Sequence, residues 1–264
     1  MGSQPSAERG RGVERPVVSV VIATYNYADY LPQAVDSALG QSFQDLEVIV
    51  VNDGSTDNTA EIVAPYRTHP KVQYFEKPNG GQASAKNLGI VKSRGTYIAF
   101  LDADDFWEPH KLDQQLDLFR RNPRVGVVYS GFRLVGPGGE PLSTENPPCY
   151  RGRVLRYLYG NNFVDFSSSV VRRDVMERYG MFDESIAMGI DYDLWLRLSG
   201  VTEFDYMPKP LVAIRVGHRQ MSTNLNGRAY WARKIEARFR MDYPALVTRQ
   251  MIRDCEMGDR KSVV

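Results

Sequence analysis

The chain runs to 264 residues, 42% of them hydrophobic and 11% aromatic, enough to bury the core of one large domain or two closely packed ones, and one main domain is expected. Its 33 Lys and Arg are spread among 32 Asp and Glu for a net charge of +1, which excludes a global field for nucleic acid, so an anionic partner has to be bound locally. Two distant cysteines, Cys149 and Cys255, with no CxxC pair argue against a structural zinc site or a disulfide scaffold and suit a reducing cytoplasm, and no stretch approaches the 18 apolar residues of a membrane span.

Residues 1–16, "MGSQPSAERGRGVERP", are polar and lack the apolar core of a signal peptide, so they read as a disordered leader or cloning remnant. From Val17 to about Tyr129 a short apolar run, a polar turn and a helically spaced stretch recur four times, the pattern of βα units around a mostly parallel sheet. The runs are "VVSVVIA" (17–23), "LEVIVV" (46–51), "VQYF" (72–75) and "YIAFL" (97–101), rich in β-branched and aromatic residues as buried parallel strands are. Helices are expected from Asp29 to Leu39, after "STDNT" with Ser55 or Thr56 as cap, and after "NGGQ" through "ASAKNLGIV". A fourth is expected from Pro109, with Leu112, Leu116 and Phe119 on one face.

After Val125 the rhythm becomes mixed. "VGVVYSGFRLV" reads as a strand, "GPGGEP" as a turn, "SSSVVRR" as a short strand, "DYDLWLRL" as a helix and "LVAIR" as a strand. The Gly- and Pro-rich stretch "GFRLVGPGGEPLSTENPPCYRG" suggests irregular, mobile structure. The last helix, roughly 227–242, places Trp231, Ile235 and Phe239 at i, i+4 and i+8.

In an open parallel sheet ligands bind beyond the carboxyl ends of the strands. Thr24, Tyr25 and Asn26 follow the first run, Asn52, Asp53 and Gly54 the second, and Asp102, Asp104 and Asp105 the fourth. Each group alone reads as ordinary turn residues, but three polar strand ends at one edge form a candidate site. Three carboxylates within four positions repel one another unless a cation or ligand compensates. Asp102 and Asp104 can divide that work, one on a sugar or nucleotide hydroxyl and one on a hard divalent cation that takes few protein oxygens and fills its shell with phosphate. Asp105 reads as the cap of the following helix.

"VSVVIATYNYADYLPQAVDSALGQSFQDLEVIVVNDGSTDNT", "GGQASAKNLGI", "GTYIAFLDADDFW" and "GIDYDLWLRL" together resemble an inverting nucleotide-sugar glycosyltransferase of family 2, over roughly residues 17–220. The resemblance implies a GT-A fold: an α/β architecture with a mostly parallel central sheet flanked by helices and a mixed C-terminal acceptor-side half. Residues 17–129 would form the nucleotide-sugar-binding half, 130–226 the acceptor and catalytic half of the same domain, and 227–264 a C-terminal amphipathic helical segment.

Position by position, the resemblance implies that Thr24, Tyr25 and Asn26 pack around base and ribose, with Tyr25 as a wall for the base. It implies that Asp53 accepts a hydrogen bond from a uracil-type imide, which favours a UDP-sugar or dTDP-sugar over a guanosine donor. Lys86 stands where the family often has Arg and would meet the diphosphate near a helix start, keeping the charge without the planar fork. Asp102 and Asp104 match the DxD motif, Asp102 for the ribose and Asp104 for Mn2+ or Mg2+.

In "GIDYDLWLRL" Asp191 matches the general base, while Ile190 replaces the family's preceding Glu and leaves that residue's acceptor contact without a counterpart. Trp195, with Leu194 and Leu198, reads as core. "IRVGHRQMST" resembles a segment of the type R-x-H-x-x-S that closes over the diphosphate, with one extra residue between Arg215 and His218. His218 is then either a metal or phosphate ligand or a solvated loop histidine.

The implied reaction is transfer of a sugar to a hydroxyl of a saccharide, lipid-linked glycan or protein side chain. The competing class is a nucleotide-binding module without catalysis, acting as sensor or scaffold. A nucleotidyltransferase would need a Gly-rich loop bearing Arg and Lys after the first strand, which "ATYNYADYL" lacks, and dehydrogenase and P-loop readings fail because neither GxGxxG nor GxxxxGK[ST] follows a strand. Residues 228–264 carry nine Lys or Arg against five Asp or Glu, which suits a helix packed on the domain or in a homodimer contact, or a peripheral membrane face at the cytoplasmic side.

Overall fold

The computed structural model describes residues 15–145, 147–218, 220 and 223–259, so most of the sequence expected to form a leader lies outside the described residues. The four apolar runs become β1 (Val18–Thr24), β2 (Leu46–Asn52), β3 (Val72–Glu76) and β4 (Tyr97–Asp102), parallel and ordered β3-β2-β1-β4. β1 and β2 are almost wholly buried because helices cover both faces, which is why these runs are continuous rather than alternating. Their register has a functional consequence. Thr24 pairs with Asn52 and Ala23 with Asp102, so three strands end level at one edge.

The helices between them are α1 (Leu31–Leu39), α2 (Thr59–Val63) followed by a 3-10 turn, and α3 (Gln82–Lys92). α1 starts two residues after Asp29 and buries Leu31, Ala34, Val35 and Ala38 at helical spacing. Neither Ser55 nor Thr56 caps α2. Asp57 Oδ1 takes the Thr59 N–H at 3.1 Å, and Ser55 and Thr56 are bonded to Asn26 instead. α3 lies so close on β1 that a Cβ at Gly89 would come within 2.4 Å of Val21 Cγ1.

β5 (Phe106–Trp107) precedes α4 (Lys111–Arg121), which begins two residues after Pro109 and buries Leu112, Leu116 and Phe119 as its spacing predicts. β6 (Val125–Val135) and β7 (Pro141–Glu145) form a hairpin across the stretch expected to be irregular, closed by Gly136 N–H to Glu140 O and Gly139 N–H to Gly136 O. α5 (Leu155–Leu158), β8 (Val170–Arg172), α6 (Arg173–Tyr179) and α7 (Ile190–Ser199) follow. The strand expected at "LVAIR" is the end of a far longer β9 (Glu203–Arg215), whose length comes from parallel pairing along the whole of β6. α8 (Leu225–Asp242) and α9 (Arg249–Asp259) complete the chain.

The strand order is β3-β2-β1-β4-β8-β6-β9-β5, with β7 beside β6. The sheet is parallel along its first four strands and mixed in the C-terminal half, as expected: β8 pairs antiparallel with β4 and β6, and β5 with β9. The boundary drawn at 129/130 falls inside β6, and one sheet carries both halves. One core packs α1 and α4 on Val18, Val20, Ile22 and Leu101. The other packs α7 and the C-terminal helices on Val21, Phe100, Val127 and Tyr129. Trp195 sits fully buried in the second, as expected. Ile235, Phe239 and Met251 are buried there too, so the apolar face of the C-terminal segment is turned onto the domain.

Candidate active site

The level ends of β1, β2 and β4 open into a cleft of about 1590 Å³, walled on the other side by the 160–166 segment, the start of α7 and one face of α8. Thr24 is 2% exposed and its Oγ1 has no partner among the described residues, whereas Tyr25 stands on the rim, 44% exposed. Asn26 holds a left-handed φ of 58°. Its N–H bonds Ser55 Oγ at 2.9 Å and its Oδ1 takes the Thr56 N–H at 2.8 Å, which ties the first strand end to the second.

Asp53 lines the cleft, but its carboxylate is already engaged by Lys77 Nζ (2.7 Å) and by the N–H groups of Gly80 (3.0 Å) and Gly81 (2.8 Å). It thus holds the loop that opens α3. From that helix Lys86, 5% exposed, reaches Asp102 Oδ1 at 3.0 Å and lies 3.6 Å above the Phe166 ring centre.

Asp104 Oδ2 faces His218 Nε2 at 3.0 Å and accepts from Gln220 Nε2 at 3.2 Å. Burial and the neighbouring Asp102 charge raise the Asp104 pKa. Asp105 does not cap α4. Wholly turned inward, it accepts from Ser167 Oγ at 2.6 Å and from the Arg215 N–H at 3.0 Å. Arg215 likewise departs from the expected diphosphate role. It is 2% exposed, and its guanidinium bonds the carbonyls of Asp104 (2.9 Å) and Pro137 (2.6 Å) and the side chain of Gln33. A guanidinium with its fork filled by carbonyls fastens the end of β9 to the turn after β4 rather than presenting charge to the cleft.

Across the cleft, Gly189 takes a left-handed φ of 79° to start α7, which puts Asp191 in its first turn. Asp191 Oδ2 accepts from Asn162 Nδ2 at 2.8 Å. Burial raises its pKa, opposed by the Asn162 bond and the Lys86 charge. Ile190 is buried in the core, so the position where the family has Glu offers no polar group here. Asp193 is paired with Arg197 at 2.9 Å.

The structure therefore brings Thr24, Tyr25, Asn26, Asp53, Lys86, Asp102, Asp104 and Asp191 to one cleft, sets His218 against Asp104, and leaves Arg215 behind the cleft wall. The 161–169 segment was not singled out from the sequence. Asn162 orients Asp191, Phe166 supports Lys86, Ser167 Oγ receives the Asp102 N–H at 3.1 Å, and Asp165 lines the cleft. The segment's signal is the polar "NN" and "D" of "NNFVDF" ahead of "SSSVVRR", whose three serines lie outside the strand that begins at Val170.

A carboxylate pair at the end of a parallel strand, a lysine beside it and a facing carboxylate on a helix start define an α/β protein with a charged binding cleft at its strand ends. The comparisons place it further. A model of glycosyl transferase family 2 matches residues 19–180, and the chain belongs to that family. It is 36% identical over 197 residues to a chondroitin synthase of Pasteurella multocida, covering 74% of this chain and 20% of that protein. It is 32% identical over 214 residues to an uncharacterised glycosyltransferase of Rickettsia typhi, covering 79% of this chain and 66% of that one. The chain thus spans only a fifth of the chondroitin synthase.

Among solved structures, S. aureus TarS 1–349 in complex with UDP aligns with a TM-score of 0.62 at 20% identity, over 76% of this chain and 60% of that one. The mannosyltransferase PcManGT from Pyrobaculum calidifontis, in complex with GDP-Man and Mn2+, aligns at 0.59 and 19% identity, over 96% and 82%. The fold is that of the GT-A glycosyltransferases, with its central sheet mixed and flanked by helices.

Proposed function

We propose that this domain is a metal-dependent inverting glycosyltransferase that moves a sugar from a UDP-sugar, or a dTDP-sugar, to a hydroxyl of a saccharide, lipid-linked glycan or protein side chain. The observation that carries the reading is Asp191, held by Asn162 at 2.8 Å in the same cleft as the Asp102–Lys86 pair and the Asp104–His218 pair. Solved proteins of this fold hold UDP, UDP-GlcNAc or GDP-Man, which supports a nucleotide-sugar donor. The reading as an inactive nucleotide module has no observation in its favour.

Thr24, Tyr25 and Asn26 border the space for the nucleoside, with Asp53 shaping its floor. Asp102 takes a ribose hydroxyl. Lys86 meets the diphosphate with a charge that burial leaves poorly screened. The acceptor O–H gives its proton to the Asp191 carboxylate as its oxygen bonds the anomeric carbon, and the bond from that carbon to the diphosphate oxygen breaks on the opposite face. One displacement inverts the centre, and one base suffices.

Among the described residues no three His, Cys, Asp or Glu side chains gather into a metal cage. Asp104 and His218 nonetheless fit Mn2+ or Mg2+: two crowded carboxylates favour a cation, the imidazole faces one of them through Nε2 while its buried Nδ1 has no partner among the described residues, and such ions take one or two protein ligands and complete the shell with phosphate and water. Bound there, the ion supplies positive charge to the leaving diphosphate.

Asp191→Asn tests the assignment. Transfer falls by about 10²- to 10⁴-fold while UDP affinity stays the same. Unchanged turnover would remove Asp191 from the mechanism. We further place the protein on the cytoplasmic side, where sugar nucleotides are available as donors.

A further inference from the structure

Asp165 is a cleft carboxylate that the mechanism above does not use. It belongs to the 161–169 segment, which is held to the body of the protein at several points. Trp107 Nε1 bonds Ser167 O and Gln115 Nε2 bonds Ser168 O, each at 2.8 Å, Ser167 Oγ reaches Asp105, and Asn162 reaches Asp191. A side chain on so braced a segment keeps its place.

Asp165 Oδ1 takes the Ser168 N–H at 3.0 Å, and Oδ2 has no hydrogen bond among the described residues. Ser167, two residues on, takes the Asp102 N–H at 3.1 Å, and Asn162, three residues back, reaches Asp191 at 2.8 Å, which sets Asp165 on the stretch that spans the two carboxylates; burial and their charges push its pKa up to about 7. Lys86 Nζ is already paired with Asp102. The other nearby amine, Lys111, is completely buried over the Trp107 ring at 4.1 Å, and it does not line the cleft.

The geometry follows from the roles on either side. If Asp102 marks the nucleotide end and Asp191 the attacking hydroxyl, the donor's sugar ring must lie between them, along the segment that carries Asp165 and bonds both. Resting on the donor reading above, we infer that Asp165 is a specificity-determining residue that hydrogen-bonds hydroxyls of the donor sugar, admitting a neutral hexose or N-acetylhexosamine and rejecting a uronate. Near neutrality it can accept from a sugar hydroxyl in its ionised form or donate to one when protonated, which suits a ring carrying only hydroxyls and amides. A uronate would bring a fourth carboxylate beside Asp102, Asp165 and Asp191, with the adjacent lysine already matched. Like charges so placed give strong discrimination against the wrong ligand.

Titration calorimetry on the full chain with Mn2+ at about pH 8 needs no acceptor and separates this inference from the donor reading. The ligands are UDP, UDP-glucose, UDP-N-acetylglucosamine and UDP-glucuronate. On the wild type, at least one neutral sugar nucleotide should bind about tenfold or more tighter than UDP-glucuronate. In Asp165→Asn that gap should narrow severalfold with UDP affinity unchanged, which also reports an intact fold, and Asp165→Glu should restore much of the gap. UDP-glucuronate binding as tightly as the neutral donors, or a gap that survives Asp165→Asn, would overturn the inference while UDP binding left the donor reading standing. Failure of UDP and every UDP-sugar to bind would overturn that reading, and this inference with it.

Discussion

The Asp191 carboxyl shows how one side chain is tuned by its neighbours. Burial raises its pKa, and in its proposed role as base it must be ionised to accept a proton, so the rate should fall as pH drops through that raised value. The Asn162 amide bonds the carboxylate and favours its charged form. Asn162→Ala should therefore move the acidic limb of kcat/KM to higher pH, measured as a rate profile with a saturating neutral buffer series. A limb that stays in place would show that Asn162 only shapes the loop. Lys111 poses the opposite problem. Its Nζ is buried without a hydrogen-bond acceptor among the described residues, and burial holds its pKa well below the ordinary lysine value. A folded-state pKa below the unfolded one means that folding releases a proton, so this amine costs stability at neutral pH, and the cost fades as pH rises towards the unfolded value. Lys111→Met should raise stability by about 1–3 kcal/mol at pH 7, read as a higher Tm by thermal denaturation, with the gain shrinking at alkaline pH.

The pairing of α3 with β1 sets the position of Lys86, because the helix is drawn against the strand where a Cβ would meet Val21 Cγ1 at 2.4 Å. Gly89 is thus required by close approach rather than by backbone conformation. Gly89→Ala gains intrinsic helix propensity of about 1 kcal/mol, but overpacking against a buried strand costs about 1–3 kcal/mol, and the second effect should win. The variant should unfold at a lower temperature and bind UDP more weakly, because the helix that carries Lys86 shifts outward. A similar economy appears at the loop before α3. Asp53 holds the N–H groups of Gly80 and Gly81, and Gly81, at φ 87°, starts the helix in a conformation other residues rarely adopt.

For the whole molecule, the cleft joins residues from both ends of the sheet, so ligand binding should stabilise the fold as a unit. UDP at about 100 times its dissociation constant adds roughly 2.7 kcal/mol, a rise of several degrees in Tm for a domain of this size. The rise should be larger with Mn2+ than without it, and Asp104→Ala should abolish the difference; a shift indifferent to metal would contradict the role given to Asp104 and His218. No helix among the described residues is long and apolar enough to cross a membrane. α8 and α9 direct Ile235, Phe239 and Met251 into the core, which withdraws that part of their apolar surface from a lipid face, while Leu225, Tyr230 and Met241 of α8 stay exposed. Sedimentation with anionic liposomes at physiological salt should leave the protein in the supernatant, and co-sedimentation would show that the basic charge together with these exposed side chains suffices.

The sequence by itself determined the parallel strands, the helices between them and most of the cleft carboxylates. Those features are local: apolar runs of strand length, helical spacing, and polar residues directly after each run, where register carries them to one edge. Only the tertiary structure decided the rest. β9 is long because β6 pairs with it, the hairpin of β6 and β7 forms despite its Gly and Pro, and the sheet turns mixed at β8. Asp105 and Arg215 are of the same residue types as the groups expected to meet a ligand, yet one accepts from a serine and a backbone N–H and the other bonds a set of carbonyls. Asn162 and Asp165 sit in a run without periodicity, and their closeness to Asp191 and Asp102 exists only once the chain has returned across the sheet. The physical reason is range: hydrophobic periodicity and turn chemistry act within a few residues, whereas the direction a side chain faces and the charges it meets are set by partners tens of residues away.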